Sequence, residues 1–577
     1  MYATARSVVI RSLSNPLDAD VYTEHQAETT VAKYAPSGNY IASGDKGGKI
    51  RIWDTLSKEH ILKIELPVLG GKVADIAWTD DSKRILAVGD GREAFGTAFM
   101  WDAGSTVGTI DGHSKTLQSC DLKPGRPYRA VTGGLDFQVN FYPGVPFKFK
   151  HSIKDHERFV NCVRYSPDGA KFVSVGSDKK GFLYDGKEGT KVGELAADAH
   201  KAGIYSASFD PSSAKVATAS ADKTVKVFDA SSGAVEKSFS TSDNPQTDDQ
   251  QLGVAWVGDT ILSVSLGSSI AHFDAAAAGG PPKTVWHGHN KFITAITASA
   301  EFLYTASYTG QIIRWNQATG ETTLFKGTGH TNQIKRVLLA GSNLLSTAMD
   351  DSVRVTPTDS LEYSTSMSTA GLPSDLAATA DGAVAVVATN KAIQLIKGGA
   401  IKATAEFGNN LEGKCVALSP DGTEAAVGVS DGRTVFKVFT YTISGDSITK
   451  KAELVKDGQK ENTAAAYSGD GKYLALADKR NEIWLVERSS GNVAIKDWIN
   501  HTAPPNRLVF SPNSSKLASS SMDSAVIVWN VIDPKPDQRV HIRRAHPLGA
   551  TDVCWVDDKT IITAGYDCTS RKWTLKK

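Results

Sequence analysis

Along Thr224-Val225-Lys226-Val227-Phe228 the side chains alternate, with Val225 and Val227 on one face and Thr224, Lys226 and Phe228 on the other. A period of two predicts a β-strand and excludes an amphipathic helix, whose apolar positions recur every three or four residues. Two earlier runs, around Tyr205 to Phe209 and Val216 to Ser220, have strand-forming character, and a fourth follows around Ala234 to Phe239. Between the runs lie Asp210-Pro211-Ser212-Ser213, Ala221-Asp222-Lys223 and Ser231-Ser232-Gly233. These are turn residues: Pro presets φ, Gly accepts positive φ, and short polar side chains bond their own backbone. The stretch predicts four antiparallel strands joined by tight hairpins.

The third strand of this unit returns at 50–54 (Trp53), 98–102 (Trp101), 181–185 (Tyr184), 312–316 (Trp315), 526–530 (Trp529) and 570–574 (Trp573). Weaker copies lie at 141–142, 271–274, 353–355, 393–396, 435–439 and 483–486, and Val8-Val9-Ile10 precedes them all. Four-stranded units repeated at roughly 40 to 48 residues are the blades of a β-propeller with the WD-repeat period. About fourteen units in 577 residues exceed one ring. The expected fold is therefore all-β, two consecutive seven-bladed WD-repeat β-propellers over 1–285 and 286–577, with the Ala- and Pro-rich run 275–282 at the junction. Before Tyr34 the pattern holds only two strands, Ser7 to Leu13 and Asp20 to His25, and Lys577 follows closely on the last third strand. The first blade is expected to lack its inner strands and the last its outer one.

Charge and cysteine usage narrow the function. With 64 basic and 63 acidic residues the net charge is +1, so no overall field draws nucleic acid or membrane. Cys120, Cys162, Cys415, Cys554 and Cys568 are odd in number and never spaced as CxxC, which predicts reduced thiols in a cytoplasmic protein. No run has the length of a signal peptide or a membrane helix.

His25, Ser43, Asp45 and Trp53 fall where such repeats place a buried hydrogen-bonded tetrad. The same spacing reads as His200, Ser220, Asp222 with Phe228, and as His501, Ser521, Asp523 with Trp529. A His, a Ser and an Asp in association resemble a hydrolase triad, but their repetition blade after blade makes them structural, and no catalytic residue is expected. His287-Gly288-His289 precedes the strand 293–296 where a repeat wants its Gly-His pair, so no metal is expected there. The glycine-rich run Gly89 to Gly96 leads into a strand and lacks a Lys-Ser/Thr ending, which leaves a long exposed hairpin and no nucleotide cofactor. An enzyme would need carboxylates or histidines aimed into a channel, and the pattern supplies none outside the tetrads.

Pro146-Phe147-Lys148-Phe149-Lys150 alternates aromatic and basic residues and reads as an outer strand. It is either an edge blunted by lysines or a protein-binding surface. The residues alone leave three functions open: a cytoskeletal regulator, a WD-repeat adaptor or scaffold in another cytoplasmic assembly, and an enzyme with its site in a channel.

The stretches Val21-Tyr22-Thr23-Glu24-His25, Ser43-Gly44-Asp45 with 50–54, Gly91-Arg92-Glu93 with Phe95-Gly96, Pro146 to Lys150, Asp249-Gln250-Gln251-Leu252-Gly253 and Gly288-His289-Asn290-Lys291 are more specific. Through them the chain resembles the actin-interacting protein 1 family of double-propeller WD-repeat proteins over essentially its whole length. The resemblance implies a non-catalytic cytoplasmic monomer of the actin cytoskeleton. It would bind filamentous actin decorated by cofilin/ADF and promote filament severing and disassembly, with no nucleic acid or membrane as partner. It also implies a partner-binding face at Glu93, Leu135 and Phe149, flanked by Phe147, Lys148 and Lys150. Relatives carry an acidic residue where this chain has Leu135, and the neighbouring Asp136 is expected to substitute for it.

Overall fold

The computed structural model describes residues 1–57, 59–92, 94–408, 410–454 and 460–576. Among these there are fourteen antiparallel sheets, twelve of four strands and two of three, and the helical content is two short 3-10 turns, Thr247–Asp249 and Pro536–Gln538. The chain divides into two compact units, Met1–Gly288 and His289–Lys577, with seven sheets in each. Each unit is a seven-bladed β-propeller; blades 1–7 belong to the first and blades 8–14 to the second.

In each four-stranded blade the strands follow one another in sequence order from the inner to the outer, so inter-strand hairpins and blade-to-blade loops alternate between two ends. The hairpin between the second and third strands shares one end, here called the upper face, with the loop that enters the next blade. The inner strand commonly carries a bulge near its start, as between Ile204 and Ser206 or Ile334 and Arg336, which turns one side chain toward the channel mouth. Adjacent blades bury their apolar faces against each other. Val526 and Val528 of blade 13 meet Val553, Trp555 and Ile561 of blade 14, and Ile293, Ile296 and Leu303 of blade 8 meet Ile562 and Ala564 of blade 14, closing the second ring.

Inner strands are also cross-linked by side chains that accept a backbone N–H of the next blade. Asp75 accepts from Cys120 at 3.2 Å, Asp121 from Tyr165 at 2.7 Å, Asp375 from Val416 at 3.1 Å and Asp552 from Ile296 at 2.9 Å. These buried carboxylates were not foreseen as a channel cluster. They are held in place by arginines: Arg164 lies 2.8 Å from Asp75, and Arg336 lies 2.8 Å from Asp375 and 3.5 Å from Asp552. Removing one member would leave an uncompensated buried charge.

Blade 1 holds three strands, Tyr2–Thr4, Ser7–Arg11 and Ala19–Tyr22, one more than the pattern predicted. Thr4 pairs with Ser7 across a two-residue turn in which Ala5 takes φ +47°. That conformation is usually signalled by Gly or Asn, so Ala5-Arg6 concealed the hairpin. Among the described residues no strand of blade 1 lies inside Tyr2–Thr4, and Val264 of blade 7 is 39% exposed, whereas the matching Ala219 of blade 6 is fully buried. Blade 14 has the strands Ala550–Asp557, Thr560–Gly565 and Ser570–Thr574.

Seven blades carry a complete His–hydroxyl–Asp clamp among the described residues: His25–Ser43–Asp45, His113–Thr132–Asp136, His156–Ser174–Asp178, His200–Thr218–Asp222, His330–Ser346–Asp350, His501–Ser519–Asp523 and His546–Thr563–Asp567. Where the third strand supplies Trp, its indole N–H donates to the same hydroxyl, as Trp53 to Ser43 at 3.1 Å and Trp529 to Ser519 at 2.8 Å. One arrangement satisfies all of these groups: Trp N–H to Oγ, Oγ–H to Nε2, and Nδ1–H to carboxylate. The tetrad of blade 2 is as expected, but in blades 6 and 13 the bridging hydroxyls are Thr218 and Ser519, not Ser220 and Ser521. The fixed spacing is ten residues from hydroxyl to third-strand ring, because both sit on paired strands: Ser43 to Trp53, Thr218 to Phe228, Ser519 to Trp529. In blade 2 the acid, Asp45, lies two residues earlier in its turn than in the other blades, and that template misassigned the hydroxyl elsewhere. Ser220 and Ser521 instead donate to loop carbonyls, Ser220 to Ala202 at 3.1 Å and Ser521 to Ala503 at 2.8 Å.

Burial opposes the charge on Asp523, yet hydrogen bonds from His501 and from the Thr502 and Ala525 amides bring its carboxyl down to about 2. In blade 8 the acid's position is taken by Thr309, and burial, with no carboxylate to oppose it, lowers His289 to about 4. The unfolded chain then takes up a proton first as the pH falls, so this contribution to stability is complete above pH 6.5 and is lost toward pH 4, about 3 kcal/mol in all. Thr309→Asp should flatten that dependence in urea denaturation at pH 4.5 and 7; an unchanged slope would locate it elsewhere. Trp529 is 2% exposed and stacks on Trp498 at 5.0 Å. Trp529→Ala should cost the second unit about 3–5 kcal/mol, read by the same method, and a loss below about 1 kcal/mol would remove it from the core.

Candidate interaction face

The clamps decide which residues of the upper loops are free to meet a partner. In blade 4 the acid Asp136 is the second residue after the strand Arg129–Gly134, and its side chain is 3% exposed, 2.9 Å from His113 and bonded by the Ser114 amide at 3.0 Å. Burial raises its pKa less than these hydrogen bonds lower it, so the carboxylate stays charged but spoken for. Asp136 therefore does not substitute at a partner surface for an acid at 135. Its neighbours point outward. Leu135 is half-buried at the mouth of the channel, and Phe137, at φ +70°, is 38% exposed.

The segment after the third strand of blade 4 also differs from expectation. It is not an outer strand, which is confined to His151–Ile153. Phe147 is 2% exposed and packs into the core between blades 3 and 4 beside Ile110, Tyr128 and Tyr142, its backbone bridging to Gly108. It belongs to the blade interior and not to a binding surface. With Phe147 turned inward, Lys148, Phe149 and Lys150 are exposed. Phe149 lies with its ring edge toward Tyr142, 6.1 Å between centroids, and over Gly112, which has φ +92°. A Cβ on Gly112 would come within 2.6 Å of the Phe149 ring, so the glycine is what lets the aromatic lie against the loop. Lys150 pairs with exposed Glu188 at 2.8 Å and stands 5.8 Å over the Phe141 ring, so its ammonium already has partners within the chain.

Glu93 lies outside the described residues. Its hairpin joins the strands Arg84–Gly89 and Gly96–Met100, and Asp90 in it accepts from Thr116 of the next loop at 3.3 Å. The long hairpin of blade 3 thus abuts the loop that leads into blade 4, the same end of the ring that presents Leu135, Phe137 and Phe149.

A signal missed in the sequence completes the face. Phe159, the residue before the inner strand of blade 5, is 43% exposed and meets Phe137 at 5.6 Å, with Lys115 5.8 Å above the Phe137 ring. Two exposed phenylalanines from successive blades, capped by a lysine, form an apolar centre with a basic rim, the composition of an interface hot spot. Each was readable as the loop residue flanking a clamp, had the clamp's turn position been fixed first. The buried His, Ser and Thr of the clamps offer no such access. Their histidine side chains are at most 1% exposed in blades 2, 4, 5, 6, 9, 13 and 14, so no substrate carbonyl reaches them. Among the described residues no group of three or more metal-ligating side chains converges, and no helix is long and apolar enough to cross a membrane.

The model of the WD domain, G-beta repeat, matches residues 19–54, 147–185, 189–229 and 493–530. Each match runs from the outer strand of one blade through the first three strands of the next, ending in blades 2, 5, 6 and 13, four of those with complete clamps. The chain is 43% identical over 582 residues to the 66 kDa stress protein of Physarum polycephalum, covering 100% of this chain and 94% of that relative. It is 41% identical over 585 residues to WD repeat-containing protein 1 of Xenopus tropicalis, with the same coverage. To Actin-interacting protein 1 of Drosophila melanogaster it is 39% identical over 581 residues, covering 100% of this chain and 93% of the relative. Relatedness at this level spans both propellers, and the chain belongs to the WD repeat-containing protein 1/actin-interacting protein 1 family.

Proposed function

We propose that this chain binds actin filaments decorated by cofilin and promotes their severing and disassembly, acting as a cytoplasmic monomer without catalytic chemistry of its own. The observation that carries the reading is the upper face of blades 3 to 5. It holds exposed Phe137 and Phe159 with Lys115, on loops fixed from below by the His113 and His156 clamps, and Phe149, whose ring lies against Gly112 of the loop that carries His113. The name of the Drosophila relative, which covers nearly all of both chains, supplies the partner. Physically, a large assembly such as a filament needs a rigid, prepaid surface, because ordering loops on binding costs about 0.5–1.5 kcal/mol per side chain. Clamped loops carry little of that cost. The apolar rings supply burial, the exposed charges beside them set orientation, and Glu93 is taken to add a carboxylate for a basic group of the partner.

Co-sedimentation with filamentous actin, with and without cofilin, tests the reading. Binding should rise severalfold when cofilin is present, and filament length should fall in the same mixture. Phe149→Ala should weaken both at least about fivefold, a loss of roughly 1 kcal/mol, while leaving the thermal transition in place, because the ring is 43% exposed and its removal empties no cavity. Glu93→Ala should behave likewise. Full activity in both variants would move the site off this face, and a lowered transition in Phe149→Ala would make that residue part of the blade instead.

A further inference from the structure

The second propeller has an upper face of its own, and its residues are not distributed evenly. In the four-stranded blades the first residue after the second strand opens the hairpin on the upper face. In blades 8 to 14 it is Tyr308, Met349, Asn390, Asp431, Lys479, Met522 and Tyr566. Four neighbouring blades of the ring, 13, 14, 8 and 9, therefore present Met, Tyr, Tyr and Met, while blades 10 to 12 present Asn, Asp and Lys.

From blade 13 through blade 14 to blade 8 the apolar residues are in contact. Phe292, which precedes the inner strand of blade 8, stacks on Tyr566 of blade 14 with centroids 4.2 Å apart and touches Tyr308 of its own blade at 5.0 Å. The Tyr566 amide donates to Gly549, against which Met522 of blade 13 lies. Tyr308 is 45% and Met522 41% exposed, and neither tyrosine hydroxyl has a hydrogen-bond partner among the described residues. Aromatic rings with free hydroxyls on a water-facing surface are apolar area and hydrogen-bonding capacity held in reserve.

Charge indicates what covers it. The acids of these blades' hairpins, Asp350, Asp523 and Asp567, are bonded to His330, His501 and His546, which leaves exposed Asp351 as the carboxylate not so engaged. The cations are not answered. Lys291, next to Phe292, is exposed, and Lys335 occupies the bulge of blade 9's inner strand; neither has an ion pair among the described residues. At the equivalent bulges Thr294, Ser374 and Asn506 carry short polar side chains that bond nearby carbonyls. Lys335 instead brings an ammonium to the mouth, where burial lowers its pKa with no acid to offset it.

We propose that the mouth of the second propeller is a docking site for an acidic segment of a partner protein, which seats an apolar side chain on Phe292, Tyr308, Tyr566 and Met522 and places its carboxylates on Lys291 and Lys335. The platform supplies affinity, and the two lysines exclude basic sequences. This site is distinct in residues and in unit from the face of blades 3 to 5.

Fluorescence anisotropy of the full chain with a fluorescein-labelled peptide of alternating aspartate and leucine tests the assignment, with lysine replacing aspartate in the control peptide. The acidic peptide should bind saturably and weaken as salt rises, and the basic peptide should not bind. Lys335→Glu and Tyr308→Ser should each reduce affinity about tenfold or more, with Lys335→Gln as a milder substitution where the first lowers the thermal transition. Phe149→Ala should bind as the parent does, which separates this site from the first propeller's. Equal binding of both peptides, absence of binding, or indifference to the variants at positions 308 and 335 would overturn the proposal. Tighter binding of a single-stranded oligonucleotide than of the acidic peptide would overturn it too.

Discussion

The structure depends on one buried hydrogen-bond relay, repeated in seven blades, in which a Ser or Thr on the second strand bonds a histidine from the preceding loop and, where the third strand supplies Trp, its indole N–H. The histidine in turn bonds an aspartate in the hairpin. Each link spans a different element, so a single relay ties two strands, a hairpin and a blade-to-blade loop at once. The relay is worth having only when complete, because each member left unpaired in the interior costs about 1–3 kcal/mol. This explains why a ring of small sheets, none stable by itself, holds its upper loops in fixed positions. The Asp side chain also accepts the amide that follows the histidine, as Lys201 donates to Asp222 at 2.9 Å and Thr502 to Asp523 at 2.8 Å.

Function follows from what the relay leaves over. In several blades the residue just before the clamped aspartate and the residue just before the inner strand are held by their neighbours but contribute little to the core. They are free to vary in chemistry without loss of fold. In the first propeller these positions include Leu135 and Phe159, and in the second Tyr566, Met522 and Phe292, with Tyr308 at the same place in blade 8, where Thr309 stands for the aspartate. The scaffold thus separates structural from recognition residues within a single turn: Asp136 is buried while Leu135 and Phe137 on either side of it face outward. The inner strands add a second level of constraint within each unit, where Asp75 of the first and Asp375 and Asp552 of the second each accept a backbone amide of the next blade.

Strands and turns were legible because period-two alternation and turn chemistry are local. The number of sheets, their order and the Trp-bearing third strands all follow from them. What escaped were facts set by contacts between distant segments. The choice of Thr218 over Ser220 is fixed by cross-strand register, which a template from blade 2 with its early Asp45 could not reveal. Phe147 and Phe149 look alike in an alternating aromatic-basic run, but Phe147 enters the seam between blades 3 and 4 through its bridge to Gly108, a partner 39 residues away. The strand Tyr2–Thr4 was hidden by an alanine in a conformation sequence rules assign to glycine. The channel carboxylates were invisible because an isolated Asp in an apolar strand gives no hint of the amide it will meet in the next blade.

Hydrogen–deuterium exchange at the loop amides tests the central role of the relay most directly. The amides of Ser114, Glu157, Lys201, Thr331 and Thr502 lie in exposed loop residues yet donate to clamped aspartates at 2.8–3.1 Å, whereas Asn290, at the same place in blade 8, has no such acceptor. The five should exchange at least about a hundredfold more slowly than Asn290, as expected where exchange requires the clamp to open. Exchange of all six at similar fast rates would show that the loops are not held by the relay, and the account of a prepaid binding face would fail with it.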